Sequence, residues 1–189
     1  MRRLAVLPLV TAALAVVSRR SLRDPRSHGF SRFFGFLALA ALVLTNAPWW
    51  FRRPLCARQL VSWGLLVSSA GLAAHSFRVL RAVGAPDHVG ARDERRSDEP
   101  ALLAFEKTTV LVDSGAYGLI RHPLYASLLL LVGGALLKRV SPPAAALAVA
   151  ASACFVATAL AEEPENRRTF GEEYAEYRRR THLFVPYVL

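Results

Sequence analysis

Cysteine is scarce in this chain, and its two cysteines do not suggest a disulfide framework. Cys56 and Cys154 lie far apart, each in apolar surroundings. This spacing argues against disulfide cross-links and against a zinc site, and it favours two small buried hydrophobic side chains. Three histidines also lack partners at a metal-ligand spacing, namely His28, His75 and His88. We therefore expect no bound metal.

Other common features are missing as well. The sequence has no internal repeat, no low-complexity segment and no Gly-x-Gly-x-x-Gly motif, which argues against the dinucleotide site of a Rossmann domain. Acidic residues are few, 14 against 24 lysines and arginines, so the formal net charge is +10. Such an excess is compatible with nucleic-acid binding, but its distribution favours a different interpretation.

Long apolar runs are the dominant feature of the sequence. Hydrophobic residues make up 53% of the chain, and they occur in blocks at residues 4–17, 33–51, 60–74, 124–137 and 144–161. The block at 124–137 falls short of the ~20 residues that a perpendicular span needs, and it reaches that length only with flanking residues such as Pro123 and Val140. We predict an all-α, polytopic integral membrane protein with about five transmembrane helices, a C-terminal helical hairpin and an amphipathic cytoplasmic tail. A cleaved signal peptide is the alternative for the first block, since Arg2 and Arg3 precede a short apolar core.

The basic residues are distributed unequally between the two sides of the predicted membrane protein. If the N-terminus lies outside and the C-terminus in the cytoplasm, most of them fall in cytoplasmic segments. The opposite side holds only Arg2, Arg3, Arg52, Arg53, Lys138 and Arg139. This is the positive-inside asymmetry, and it predicts contact with membrane lipids and no nucleic-acid partner.

The sequence divides into three parts, residues 1–83, 84–122 and 123–189. The first contains the first three runs, and the second contains a charged, solvated loop that leads to Arg121-His122-Pro123. In the third, Pro142 and Pro143 stop one helix before the next begins, which predicts a tight hairpin. The hairpin places the start of the fourth run and the end of the fifth at one membrane face.

Ionisable residues therefore meet at the border of the membrane. Arg121, His122 and Tyr125 approach Glu162 and Glu163, and charges at such depth are either functional or interfacial anchors that form a salt bridge. In the tail, one face of an amphipathic helix carries Phe170, Tyr174, Tyr177 and Thr181. We interpret the two tyrosines as packing residues, and the residues 178–180 as contacts either to anionic lipid or to a substrate.

Three motifs in order resemble a known family. They are residues 111–127 (LVDSGAYGLIRHPLYAS), the pair Glu162-Glu163, and residues 170–180 (FGEEYAEYRRR). Together they resemble the isoprenylcysteine carboxyl methyltransferase family and its bacterial and phospholipid methyltransferase relatives, over residues 108–187. The resemblance implies an enzyme that transfers a methyl group from S-adenosyl-L-methionine to a lipid-like or small apolar acceptor at the cytoplasmic face.

The resemblance also implies roles for individual residues. Cofactor binding falls to Arg121, His122, Pro123, Tyr125, Glu162 and Glu163. Tyr117 is a further candidate on chemical grounds, because its aromatic face can stack on the adenine or lie near the sulfonium. Arg121 or Arg180 would orient an acidic acceptor, and Glu163 or His122 would deprotonate an amine, so the catalytic candidates are Arg121, Glu163 and Arg180. Prenylated cysteine, a phospholipid amine and quinone-like compounds all remain open as acceptors.

Two further functions are compatible with the sequence. A membrane reductase of the sterol-reductase type would have a similar helical layout and a nicotinamide cofactor. A non-catalytic lipid-binding or scaffold protein would need no cofactor. The Arg121 motif together with Glu162-Glu163 favours the methyl donor.

Overall fold

The described part of the chain is helical. The computed structural model describes residues 28–52, 54–84 and 110–186, together with residues 8, 11 and 12. Its long helices are α1 (His28–Asn46), α2 (Ala57–Val83), α3 (Pro123–Lys138) and α4 (Pro142–Arg180), with short 3-10 turns at Ala47–Trp49 and Gly115–Gly118. No strand occurs in these residues, only an isolated bridge, so the predicted all-α class is confirmed.

Three helical segments are long and apolar enough to cross a membrane: Gly29–Trp49, Ala57–Val83 and, in the helix Pro142–Arg180, the apolar part that ends before Glu162. α3 is apolar but has only 16 residues, in line with the short run in the sequence. The first predicted run, residues 4–17, and most of the charged loop, residues 85–109, lie outside the described residues. The total of five spans thus stays a prediction.

α3 lies at the centre of the helical packing. It contacts α2 on one side and α1 and α4 on the other, while α1 packs along α4. Small residues allow the close approach of α1 and α4, since the buried face of α4 is mostly alanine up to Phe155. The Phe155 ring in turn fills the space beside Gly35, where an added Cβ would lie 2.8 Å from it.

α2 has the opposite polarity pattern to a helix of a soluble protein, because polar side chains lie on its buried face and apolar side chains on its exposed face. Its buried positions include Gln59, Ser62, Ser69 and Ser76, whereas apolar side chains such as Val67 are exposed. Ser62 Oγ donates to the Gly134 carbonyl at 2.7 Å, and Ser69 Oγ donates to the Ser127 carbonyl at 2.7 Å. Small and polar residues between helices, with apolar residues outside, are typical of helices that pack in lipid.

α3 and α4 form a helical hairpin. Ser141 caps α4 by accepting from the Ala144 N–H at 3.4 Å, and Pro142 occupies the first turn. Because the helices are antiparallel, the start of α3 lies level with residues about twenty positions into α4. α4 then kinks at Gly171, whose φ of 58° is a conformation that only glycine adopts readily.

One sequence prediction is wrong in part. Both cysteines were expected to be buried, but Cys56 is exposed and Cys154 is only partly buried. Cys56 lies in the connection before α2 rather than inside a helix, so no neighbouring helix covers it.

Candidate functional site

The most polar point of the described structure is a single carboxylate oxygen at the end of the hairpin. Glu163 Oε1 accepts from Arg121 Nε at 3.0 Å and from Tyr174 Oη at 2.8 Å, and it lies 2.9 Å from His122 Nε2. Glu163 is only 8% exposed, and His122 is buried as well. The structure thus brings together Arg121, His122 and Glu163, although about forty residues separate the two motifs.

The second carboxylate forms a neighbouring pair. Tyr125 Oη donates to Glu162 Oε1, and His122 Nδ1 lies 3.8 Å from Glu162 Oε2. His122 therefore stands between the two glutamates, one ring nitrogen facing each. Pro123 begins α3 directly after His122, so the helix start fixes the imidazole between the acids.

The environment of Glu163 keeps it ionised. Burial by itself would raise the pKa of this carboxyl, but the hydrogen bonds from His122 and Tyr174 and the charge of Arg121 outweigh burial and lower the pKa to about 2. The other oxygen, Oε2, is buried and makes no hydrogen bond to any described residue. Its nearest charged neighbour is Arg178 Nε, at 3.5 Å.

The kink at Gly171 creates the pocket beside this carboxylate. Glu163 and Tyr174 are eleven residues apart, which would separate them by about 16 Å along a straight helix. The bend folds the end of α4 back, so that Tyr174 reaches Glu163. The bent helix borders a half-open cavity of about 290 Å³, lined by Glu163, Arg167, Tyr174, Ala175, Arg178 and Arg179.

The C-terminal segment holds the entrance of α3 in place. The Arg121 N–H donates to the His182 carbonyl at 2.8 Å, and the His122 N–H donates to the Leu183 carbonyl at 3.2 Å. Arg121 Nη1 also donates to the carbonyl oxygens of Thr181 and Arg178. A guanidinium at this position satisfies carbonyls at the end of α4, so Arg121 has a structural task besides its ion pair.

Tyr117 lies beside the cluster rather than in it. The residue is buried, and its carbonyl accepts from Tyr177 Oη at 2.7 Å. Burial, together with the negative charge of Glu162, raises the pKa of Tyr117. Burial raises the pKa of Tyr174 and Tyr177 too, so all three phenols stay protonated and can donate.

Arg180 lies apart from the carboxylate cluster. Its side chain pairs with Asp113, and both groups are about half exposed. Arg180 therefore ties the tail to the loop before α3 and makes no contact with Glu163. Of the catalytic candidates, the structure brings together Arg121 and Glu163 only.

Sequence reasoning missed two participants. Tyr174 was interpreted as a packing residue, and Arg167 was not singled out. Tyr174 approaches Glu163 only because α4 bends at Gly171, and a glycine flanked by helix-forming residues was the available sign of that bend. Arg167 follows Glu163 by four residues, so regular helix geometry already places the two side chains on one face of α4. In the part of the chain that is described, no group of three or more histidine, cysteine or acidic residues has the geometry of a metal site.

Comparison of the chain with protein-family profiles, with curated proteins and with solved structures found no match.

Proposed function

We propose that this protein is a membrane methyltransferase that uses S-adenosyl-L-methionine and acts on a lipid-like or small apolar acceptor, as the resemblance to isoprenylcysteine carboxyl methyltransferases implies. One observation carries the proposal. A buried, ionised carboxylate, Glu163, has one oxygen saturated by three protein groups and the other without a hydrogen bond among the described residues, beside a cavity lined with arginines.

The charges around that cavity match the charges of the cofactor. S-adenosyl-L-methionine carries an ammonium, a carboxylate and a sulfonium, so its site needs both signs of charge close together. Glu163 Oε2 can accept from the ammonium, and the guanidinium groups of Arg167, Arg178 and Arg179 can bind the carboxylate. Tyr125 offers an aromatic face close to Glu162 for the adenine or the sulfonium. The cavity of about 290 Å³ lies just below the ~300 Å³ at which the usual range for small-molecule sites begins.

The protein's contribution is positioning rather than nucleophilic attack. The cofactor supplies an activated methyl group, so the chain's own residues need only orient the partners and exclude water. Arg121 and the segment that it binds, residues 181–183, hold His122 at the entrance of α3. This arrangement keeps the imidazole fixed between Glu162 and Glu163.

The low pKa of Glu163 narrows its role. A carboxylate with a pKa of about 2 is a weak base, so Glu163 acts through its charge and not as a proton acceptor. If the acceptor is an amine, His122 or Glu162 removes the proton. If the acceptor is already an anion, no base is needed.

The proposal includes the orientation in the membrane. The abundance of basic residues near the site and in the tail favours the cytoplasmic face for Glu163, with the N-terminus outside. The apolar helices α1 to α4 then allow an apolar acceptor to enter from the lipid.

The direct test is cofactor binding by the full chain in detergent. S-adenosylhomocysteine should bind by calorimetry, and Glu163→Gln and Arg121→Ala should weaken binding by tenfold or more, about the effect of losing a charged hydrogen bond. Glu173→Gln and Arg168→Ala remove the same charges from exposed positions of α4 and should leave binding unchanged. Binding of a reduced nicotinamide dinucleotide in its place would support the reductase, and binding of neither nucleotide would support a scaffold.

A further inference from the structure

A second polar cluster lies at the opposite end of the helices from Glu163. It is formed where α1 ends, α2 begins and α3 ends, and α3 alone separates the two ends by about 24 Å. The chain's three tryptophans, Trp49, Trp50 and Trp63, all lie here. Tryptophans gathered at one end of apolar helices mark the level of the lipid headgroups. We call these residues, together with the cations around them, the aromatic–basic end.

Lys138 is the buried member of this end. It is 0% exposed, and its ammonium donates to Gln59 Oε1 at 3.1 Å. The ammonium also lies over the rings of Trp63 and Trp50, 3.5 Å and 5.3 Å from their centroids. Gln59 Nε2 donates to the carbonyls of Trp49 and Lys138, so the amide fixes both. Among the residues that the structure describes, the hydrogen-bond acceptor and the rings that contact this ammonium are therefore all neutral.

Two arginines extend the positive charge to the surface. The guanidinium groups of Arg52 and Arg139 each lie 4.6 Å from the centroid of the Trp49 ring, and both residues are exposed. A cation–π contact to the same ring favours the position of both groups beside Trp49, and their N–H donors stay available because the residues are exposed. Between described residues, no carboxylate pairs with either guanidinium.

The sequence explains why no acid compensates these cations. There is no aspartate or glutamate in residues 25–86 or 114–161, which include every described element that reaches this end. Arg53 and Arg58 add further positive charge nearby in the sequence. Cations that lie close together without an acidic neighbour create a positive potential, and this potential attracts an external anion.

We propose that the aromatic–basic end binds the headgroup of an anionic phospholipid, with the lipid phosphate held by Arg52 and Arg139 across Trp49. The tryptophan rings place the two guanidinium groups at headgroup depth, and a phosphate matches their paired N–H donors. A zwitterionic lipid fits less well, because its own ammonium would meet a region where none of the described residues is acidic. This lipid site lies on the membrane face opposite to Glu163. It does not depend on the proposed methyltransferase function.

The test uses the full chain in detergent and counts bound lipid by native mass spectrometry. Dioleoylphosphatidylglycerol should bind more tightly than dioleoylphosphatidylcholine. Each arginine should raise the affinity for phosphatidylglycerol about fivefold, because ~1 kcal/mol per basic residue corresponds to that factor. The double variant Arg52→Gln/Arg139→Gln should therefore bind phosphatidylglycerol about 25-fold more weakly.

The control is Arg78→Gln/Arg168→Gln, which removes two exposed charges elsewhere and should keep wild-type lipid binding. If the double variant does not fold, each single variant should lose about fivefold, and undiminished binding in both would overturn the proposal. Equal binding by the double variant and the control would overturn it as well. Glycerol phosphate, which carries the headgroup without the acyl chains, should not compete, and effective competition would show a soluble phosphate site instead.

Discussion

Replacing Glu163 by glutamine removes the charge on which the candidate site is built while keeping its shape. The pKa of Glu163 is lowered from its ordinary value of 4.5 to about 2. A difference of that size corresponds to about 3 kcal/mol of stability at neutral pH. This agrees with the ~3–5 kcal/mol that removal of one partner of a buried ion pair costs. We expect the melting temperature of Glu163→Gln to fall by about 6–12 °C at neutral pH.

The pH dependence of that loss gives a sharper test than its size. Because the folded-state pKa is depressed, the contribution of Glu163 is fully present above the unfolded pKa and is lost as the pH falls towards 2. At about pH 3, roughly 2 of the ~3 kcal/mol should be gone, so the difference between wild type and variant should shrink by more than half. The assay is thermal unfolding in detergent at both pH values.

Glu173→Gln is the matched control, because Glu173 is exposed on the same helix. Its melting temperature should stay close to that of the wild type at both pH values. A loss in Glu163→Gln that is equally large at neutral pH and at about pH 3 would refute the ion-pair reasoning, since a loss from packing alone does not titrate.

Three further substitutions test the packing and the kink. Gly134→Ala places a Cβ 2.8 Å from a leucine side chain of α2 and should lower stability by about 1–3 kcal/mol, whereas Gly64→Ala, with open space around it, should not. Gly171→Ala forces alanine to a φ of 58° and should lower the free energy of unfolding by about 1 kcal/mol or more, with Gly64→Ala again as the control. Tyr174→Phe removes one donor to Glu163 and should cost about 1–3 kcal/mol; a melting temperature equal to wild type would contradict that hydrogen bond.

The sequence was sufficient to predict the helices and the meeting of the two motifs. Apolar blocks and prolines mark the spans and the hairpin, and a hairpin leaves little freedom in where its ends lie. Arg121 and Glu163 therefore had to approach each other once both helices formed. The contact between Arg121 and Glu163 therefore follows from the topology of the hairpin more than from the detailed packing of their side chains.

What the sequence did not reveal depends on departures from regular helix geometry and on packing between distant segments. The bend at Gly171 brings Tyr174 to Glu163, although a regular helix would place them about three turns apart. Arg180 faces Asp113 for the same reason, because the bend turns that part of α4 towards the loop before α3. The tryptophan cage of Lys138 joins three segments whose contacts no local pattern indicates.

The central claim is that Glu163 and its partners serve methyl transfer, and transfer of labelled methyl groups tests it most directly. The full chain, reconstituted in nanodiscs with a lipid extract, should move tritium from methyl-labelled S-adenosyl-L-methionine into the organic phase. Glu163→Gln should reduce the rate by about 100-fold or more, which is the effect of losing a charged group that positions reactants. The control Glu173→Gln should keep the wild-type rate. Equal rates of methyl transfer by the wild type and Glu163→Gln would contradict the proposed function. So would the absence of methyl transfer by a wild-type protein that binds the cofactor.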